Sequence, residues 1–420
     1  MPASSRKSNA RRLFALTAAA VLLALVLFVK YGHQPDTATI QILHHAFTSQ
    51  VGTDSTYYMQ MGEDAFHRPA QLIYRDLFLT QHQKFIYPPS SLFLLELLNS
   101  APRFHIASSM ALMSLLFASW VGILAVGGWI YWLVRGPITL AEGACVVVLG
   151  LIFLPIAEAL YRGQIQLLLT FLWGAAVLLW MRGKPAWCGF VIALTCAFKP
   201  QLAIFLLWGI LRRQRRFTAV LAATIGVIGI FSVSHYGLRN NLDYFAVLSY
   251  LSRHGEALWA NQSFNGLLNR LLQNGDAMSW NATVYPPYRP VIYVVSTLLS
   301  LLVLVAALLL PRFAGWQGTT ADFLLLGCSS VLISPIAWEH HYGYFFFLIV
   351  FLLSQAETFP LMRWLVLAMC TLALANRLPP LDHRISGGIS VISSYMLYSG
   401  LAVLALLVIQ QRKAAASASI

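Results

Sequence analysis

Stretches of apolar residues about long enough to cross a lipid bilayer recur along nearly the whole chain. The hydrocarbon core of a bilayer is ~30 Å thick and takes about 20 residues of helix. No water there can satisfy a backbone N–H or C=O, so a spanning segment must close its hydrogen bonds internally. Candidate segments lie near residues 13–30, 106–134, 139–160, 164–181, 186–198, 200–211, 217–236, 289–310, 320–337, 341–355, 361–376 and 392–410. They predict an all-α integral membrane protein, a polytopic bundle of about twelve transmembrane helices. Segments 186–198, 200–211 and 341–355 are short for a span and need tilt or shielding by neighbours. Charged residues make up 10% of the chain, against about 25% in soluble domains. That difference excludes a water-soluble fold.

The formal net charge of +13 does not point to nucleic acid. Lys and Arg fall in short clusters between apolar runs, such as Arg6, Lys7, Arg11 and Arg12, or Arg212, Arg213, Arg215 and Arg216. No basic stripe is interleaved with aromatics, as a nucleic-acid surface would require. Such clusters hold loops in the cytoplasm. They predict cytoplasmic termini, a basic N-terminal segment 1–12, one membrane domain over 13–411 and a disordered tail over 412–420. The first apolar run resembles a signal peptide, but its length and the lack of a small-residue cleavage site predict an uncleaved helix. Parity leaves residues 90–98 in the membrane without crossing it. Segments 31–87, 161–163, 199, 237–288, 338–341 and 377–391 then face the outside of a plasma or inner membrane. The five cysteines all sit in apolar runs, where a thiol is a small packing group, so no disulfide framework is expected.

Nearly every residue with chemical potential falls on that predicted outer face. The first outer loop begins Val51-Gly52-Thr53-Asp54-Ser55-Thr56-Tyr57-Tyr58 and ends Phe85-Ile86-Tyr87-Pro88-Pro89. Tyr57, Tyr58, Met61 and Phe66 suggest a short interfacial helix, with Asp54 preceding it as its N-cap. Four further arrays are Tyr161-Arg162-Gly163-Gln164-Ile165-Gln166, Cys196-Ala197-Phe198-Lys199-Pro200-Gln201, Asn261-Gln262-Ser263-Phe264-Asn265-Gly266 with Arg270, and Ser334-Pro335-Ile336-Ala337-Trp338-Glu339-His340-His341. Ionisable groups at membrane depth are costly and face a cavity or a partner. Taken alone, each has a plainer explanation: a cap at Asp54, snorkelling at Arg162 and Lys199, satisfied structural histidines at His340 and His341. Their common face is what makes them a candidate site.

The set suits transfer of a sugar from a phosphate-linked lipid. Lys199, Arg162 and Arg270 can hold an anionic phosphate, with Gln164, His340 and His341 as further donors. Asp54 can take a proton from an acceptor hydroxyl attacking the anomeric carbon. Tyr57, Tyr58, Tyr87, Asn261, Gln262, Asn265, Trp338 and Glu339 are candidates for contacting substrate. Adjacent histidines on a helix diverge by about 100° and cannot chelate as an i, i+4 pair would. The first loop also has no Asp-x-Asp, so neither metal nor other cofactor is expected. No Walker A, dinucleotide-binding glycine motif or Gly-x-Ser-x-Gly is present. A transporter or flippase of a lipid-linked sugar is the alternative, since it too needs cations facing a cavity. Transporters, however, place their sites near the midplane between repeats, and no internal repeat is visible.

These residues resemble the polyprenyl-phosphate-mannose-dependent α-mannosyltransferases of glycosyltransferase family 87, which have the GT-C membrane fold. The resemblance rests on Asp54 with Tyr57-Tyr58, Phe85-Ile86-Tyr87-Pro88-Pro89, Gly163-Gln164, Phe198-Lys199-Pro200, Asn261-Gln262-Ser263 through Arg270, and Ser334-Pro335 with Trp338 and His340-His341. It implies a GT-C-type bundle whose external loops carry short interfacial helices. It also implies an inverting transferase that uses a polyprenyl-phosphate sugar, usually mannose, and a glycolipid, glycan or other acceptor outside the cytoplasm. Asp54 would be the base, and His340 or His341 would contact donor phosphate. The chain departs from the family at Gln166, often Asn there, and at Glu339 before the His pair.

Overall fold

The computed structural model describes residues 3–33, 37–48, 52–66, 73–99, 108–379 and 387–418. Among these residues the chain is helical, with one extended bridge between Asn261 and Trp338. Helix α1 (Ala3–Tyr31) runs from a basic end to a polar end, where α2 (Thr39–Thr48), α3 (Thr53–Phe66) and α4 (Leu92–Asn99) gather. α5 (Ser108–Arg135) returns, and α6 (Leu140–Leu151) with α7 (Leu154–Tyr161) comes back through a 55° bend. α8 (Gln166–Met181), α9 (Pro185–Cys196), α10 (Ile204–Leu211) and α11 (Arg215–Tyr236) continue the alternation. α12 (Leu238–His254) and α13 (Phe264–Leu271) stay at the polar end before α14 (Pro290–Phe313) goes back. α15 (Thr320–Leu332), α16 (Tyr344–Leu353), α17 (Leu361–Ala375) and α18 (Tyr395–Ala418) complete the bundle.

Local sequence explains where these helices start and stop. Thr139 and Glu142 form a capping box at α6: the Glu142 N–H donates to Thr139 Oγ1, and the Thr139 N–H donates to Glu142 Oε2. Pro155 lacks an N–H and tolerates only the first turn of a helix, so a new helix starts at the bend. α4 has eight residues, a length of about 12 Å that is too short to cross the hydrocarbon core.

Five helices among the described residues are long and apolar enough to cross a membrane, and α6–α7 makes six if the bent pair is one span. Six more apolar helices have 10–17 residues, roughly 15–26 Å at 1.5 Å per residue. The expectation of about twelve spans goes beyond what length and apolarity establish. α11 and α14 are 17% and 22% buried over their most apolar windows, and show Val227, Ile230, Leu298 and Leu302 outward. α16 is buried at every residue, the pattern of an enclosed helix.

Helices in lipid associate through close packing more than through the hydrophobic effect. Trp173 of α8 lies between Phe323 of α15 and Tyr344 of α16, with ring centroids 5.2 Å away on each side and interplanar angles of 7° and 19°. At the basic end Arg212 donates to both carboxylate oxygens of Asp322, at 2.6 and 3.1 Å, and both side chains are fully enclosed. Arg135 pairs with Glu357 at 2.9 Å. Arg12 donates to the carbonyls of Ala356 and Phe359. Residues 3–12 of the basic segment belong to α1. Helical backbone also runs to Ala418, through most of the tail expected to be disordered; residues 419–420 lie outside the described residues.

Candidate active site at the polar end of the bundle

Asp54 is placed by a backbone-on-backbone contact. α7 ends in a left-handed glycine, Gly163 (φ 66°). The Gln164 N–H returns to the Ala159 carbonyl and the Gly163 N–H to Leu160, the Schellman pattern that closes a helix. Against this turn lies Gly52, where a Cβ would come within 2.2–2.5 Å of the Tyr161 and Arg162 backbone. The Ser55 N–H donates to the Arg162 carbonyl at 3.3 Å. Asp54 sits inside the first turn of α3 rather than ahead of it, which corrects the expected N-cap. Its Oδ2 accepts from Gln164 Nε2 at 2.5 Å. The expected apolar face at Met61 and Phe66 lies outside the described side chains.

Aromatic rings form the wall beside Asp54. Tyr58 packs edge-on against Tyr87 at 5.1 Å and donates to the Ser91 carbonyl. Tyr57 meets Trp280 edge-on at 6.2 Å. Trp338, from the far end of the sequence, packs against the same cluster. Burial first, and the nearby Asp54 second, push the Tyr87 phenol above its ordinary range, so it remains a neutral donor. Lys84 ties the first long loop to the second: its Nζ is 2.5 Å from Glu256 Oε2 and lies over the rings of Tyr285 and Trp280.

Lys199 and His341 line a neighbouring cleft with Gln166, Gln201, Ser330, Ser334 and Tyr344. Lys199 stands at the corner between α9 and the turn Pro200–Ala203, and burial lowers its ammonium to about 7. His340 and His341 occupy the 3-10 turn Glu339–Gly343, with ring planes 88° apart. His341 lines the cleft, whereas His340 has Glu158, Lys199 and Arg162 as charged neighbours. Arg162, which has Asp54 as a charged neighbour, donates through Nε to Glu158 Oε1 at 2.7 Å. No group of three or more His, Cys, Asp or Glu among the described residues could hold a metal ion.

Several expected ligand groups are engaged by the protein itself. Asn261 Nδ2 donates to the Glu256 and Pro335 carbonyls, and its Oδ1 accepts from the Ala337 N–H. Gln262 Nε2 donates to the Trp259 and Ser393 carbonyls, and its Oε1 accepts from the Met396 N–H. Arg270 is enclosed and donates to the Leu258 and Asn261 carbonyls and to Ser394 Oγ. Asn265 Oδ1 accepts from Asn269 at 2.6 Å. Asn261, Gln262 and Arg270 thereby join the 258–262 turn to the 335–337 loop and to residues 393–396. Glu339 is buried in an ion pair with Arg377, so it too reaches no open surface.

Glu158 and Arg377 escaped the sequence reading, although a carboxylate inside an apolar run is itself a signal. A model of glycosyltransferase family 87 matches residues 85–335. No curated protein and no solved structure matches the chain. The family match starts after Asp54 and stops short of Trp338 and the histidines.

Proposed function

The chain belongs to glycosyltransferase family 87, and from that membership we propose that it transfers a sugar, mannose in the first instance, from a polyprenyl-phosphate donor to a glycolipid or glycan acceptor. The reaction is assigned to the non-cytoplasmic face of the plasma or inner membrane, with the basic end in the cytoplasm and about twelve passes between the two ends. One observation carries the reading. Asp54, from early in the chain, is bonded to Gln164 beside Arg162, and two residues on, Gln166 lines a cleft with Lys199 and His341 from later in the chain.

Asp54 takes the proton of the acceptor hydroxyl while that oxygen attacks the anomeric carbon. The bond from that carbon to the phosphate oxygen breaks on the opposite face, and the sugar is transferred with inversion. Polyprenyl phosphate leaves as an anion, and Lys199, Arg162 and a His341 N–H stabilise the charge as it develops. Gln164 orients Asp54 for this step. Tyr57, Tyr58, Tyr87 and Trp338 offer ring faces to the sugar, while Asn261, Gln262, Asn265 and Arg270 hold the walls. The chain's own cations meet the phosphate charge, and the reading requires no metal or cofactor.

The test is transfer by the purified protein with polyprenyl-phosphate-mannose and candidate acceptors, comparing wild type with Asp54→Asn. Transfer is expected to fall at least about 100-fold with folding retained. Activity within about tenfold of wild type would remove Asp54 from the role of base. Movement of the lipid-linked sugar across proteoliposomes without transfer would identify a flippase instead.

A further inference from the structure

Arg377 lies between the two halves of the site, and the reaction above does not use it. Glu158, four residues before Arg162 in α7, accepts on Oε1 from Arg162 Nε at 2.7 Å and from Arg377 Nη2 at 2.8 Å. The same Nη2 donates to Glu339 Oε2 at 2.5 Å. Glu339 opens the turn that carries His340 and His341. Arg162 belongs to the turn whose Gln164 holds Asp54. The Arg377 guanidinium lies over the Trp259 ring, 5.0 Å from its centroid, and its backbone N–H donates to Thr39 Oγ1. Arg377, Glu158 and Glu339 are 3%, 2% and 1% exposed, so bulk solvent does not screen these contacts.

We propose that Arg377 is a positioning residue: by joining Glu158 to Glu339 it sets the separation between the Asp54 half of the site and the His340/His341 half. The inference rests on the assignment of those halves to base and phosphate binding. Two carboxylates that converge on one nitrogen repel each other unless the cation stays between them, and burial removes the water that would screen them. Arginine suits the place better than lysine, because its planar fork can serve both carboxylates while lying flat on an indole. Glu158 and Glu339 against Arg162 and Arg377 sum to zero charge. Among the described residues His340, Lys199, Asp54 and the Tyr395 hydroxyl, 3.5 Å from Glu339, also face the cluster. Removing Arg377 leaves the cluster one cation short, whereas removing Arg377 together with the Glu339 charge restores the balance.

The experiment compares wild type, Arg377→Gln, Arg377→Lys and the double variant Glu339→Gln/Arg377→Gln as purified full-length protein. Transfer and thermal unfolding are each followed from about pH 5 to about pH 8. For Arg377→Gln, kcat is expected to fall about 100-fold, the cost of a small misplacement, while the KM for donor stays within about threefold. The deficit shrinks toward low pH, where a proton neutralises one of the two carboxylates. The double variant regains at least about tenfold over Arg377→Gln, because coupled charges are not additive. Should Arg377→Gln not fold, Arg377→Lys keeps the charge, loses the fork and is expected to lose about tenfold. Wild-type activity in Arg377→Gln, or a deficit that neither pH nor the double variant changes, would overturn the proposal. The unfolding arm needs no donor: the midpoint of Arg377→Gln drops more at high pH than at low pH, and the double variant reverses the drop. If wild type transfers nothing, the assigned function fails, while this arm still decides whether Arg377 joins the two carboxylates.

Discussion

Lys199 lines the cleft at a helix corner, and that location governs its proton. Its lowered value means that the charge is lost as pH rises through about 7 rather than near 10.5. With the ammonium holding donor phosphate, kcat/KM is expected to fall as pH climbs through about 7. Lys199→Arg, which stays charged, should abolish that limb, and a pH–rate profile unchanged by the substitution would assign the limb to another group. The two histidines are expected to separate as well. His341→Ala should lower kcat/KM by about 100-fold, the usual cost of one donor to a developing anion, with a much smaller loss for His340→Ala. Equal, small losses in steady-state assays would take both out of donor binding. Asp54, Lys199 and the His pair were legible because charge is rare in so apolar a sequence. Which histidine faces the cleft was not, since adjacent side chains diverge and only packing chooses between them. The loop bonds of Asn261 and Gln262 were not legible either, because an amide that can bind a sugar hydroxyl binds a loop carbonyl equally well.

At the level of elements, α3 is held by its fit to the turn after α7. A methyl group at position 52 would collide with backbone, which cannot swing aside as a side chain can. Gly52→Ala is therefore expected to cost about 1–3 kcal/mol from overpacking and to reduce transfer about 10–100-fold by displacing Asp54. Normal turnover in Gly52→Ala, measured beside its unfolding midpoint, would show that α3 is not fixed there. The long helices were legible from apolar length alone. The break between α6 and α7 was not read, although Pro155 marks it, because apolar residues continue on both sides. The short helix after Pro88-Pro89 was anticipated as a segment that does not cross from the parity of the basic clusters, and the start of α3 was misjudged by two residues, which moved Asp54 from cap to first turn.

For the molecule as a whole, the polar end and the basic end should face opposite compartments. Of the five cysteines, four are buried and Cys145 is half-buried, so a surface cysteine can be read over a low background. Ser279→Cys, in the exposed second loop, should react with a membrane-impermeant maleimide on intact cells. Gln317→Cys, exposed at the basic end, should react only after permeabilisation. The opposite pattern would put the site in the cytoplasm. The alternation of the helices between two ends could be anticipated from where Lys and Arg cluster; the ion pairs that lock each end, such as Arg212 with Asp322, could not, because their partners are 110 residues apart. α9, which shows Trp187 and Phe190 outward, has only 12 residues, about 18 Å of rise. Oil cannot keep its full depth around so short a wall, so the bilayer thins or water descends. The polyprenyl carrier proposed above would then stay sunk in its own solvent while its sugar meets an incoming hydroxyl below the surrounding headgroups, with no part of the lipid tail lifted into water.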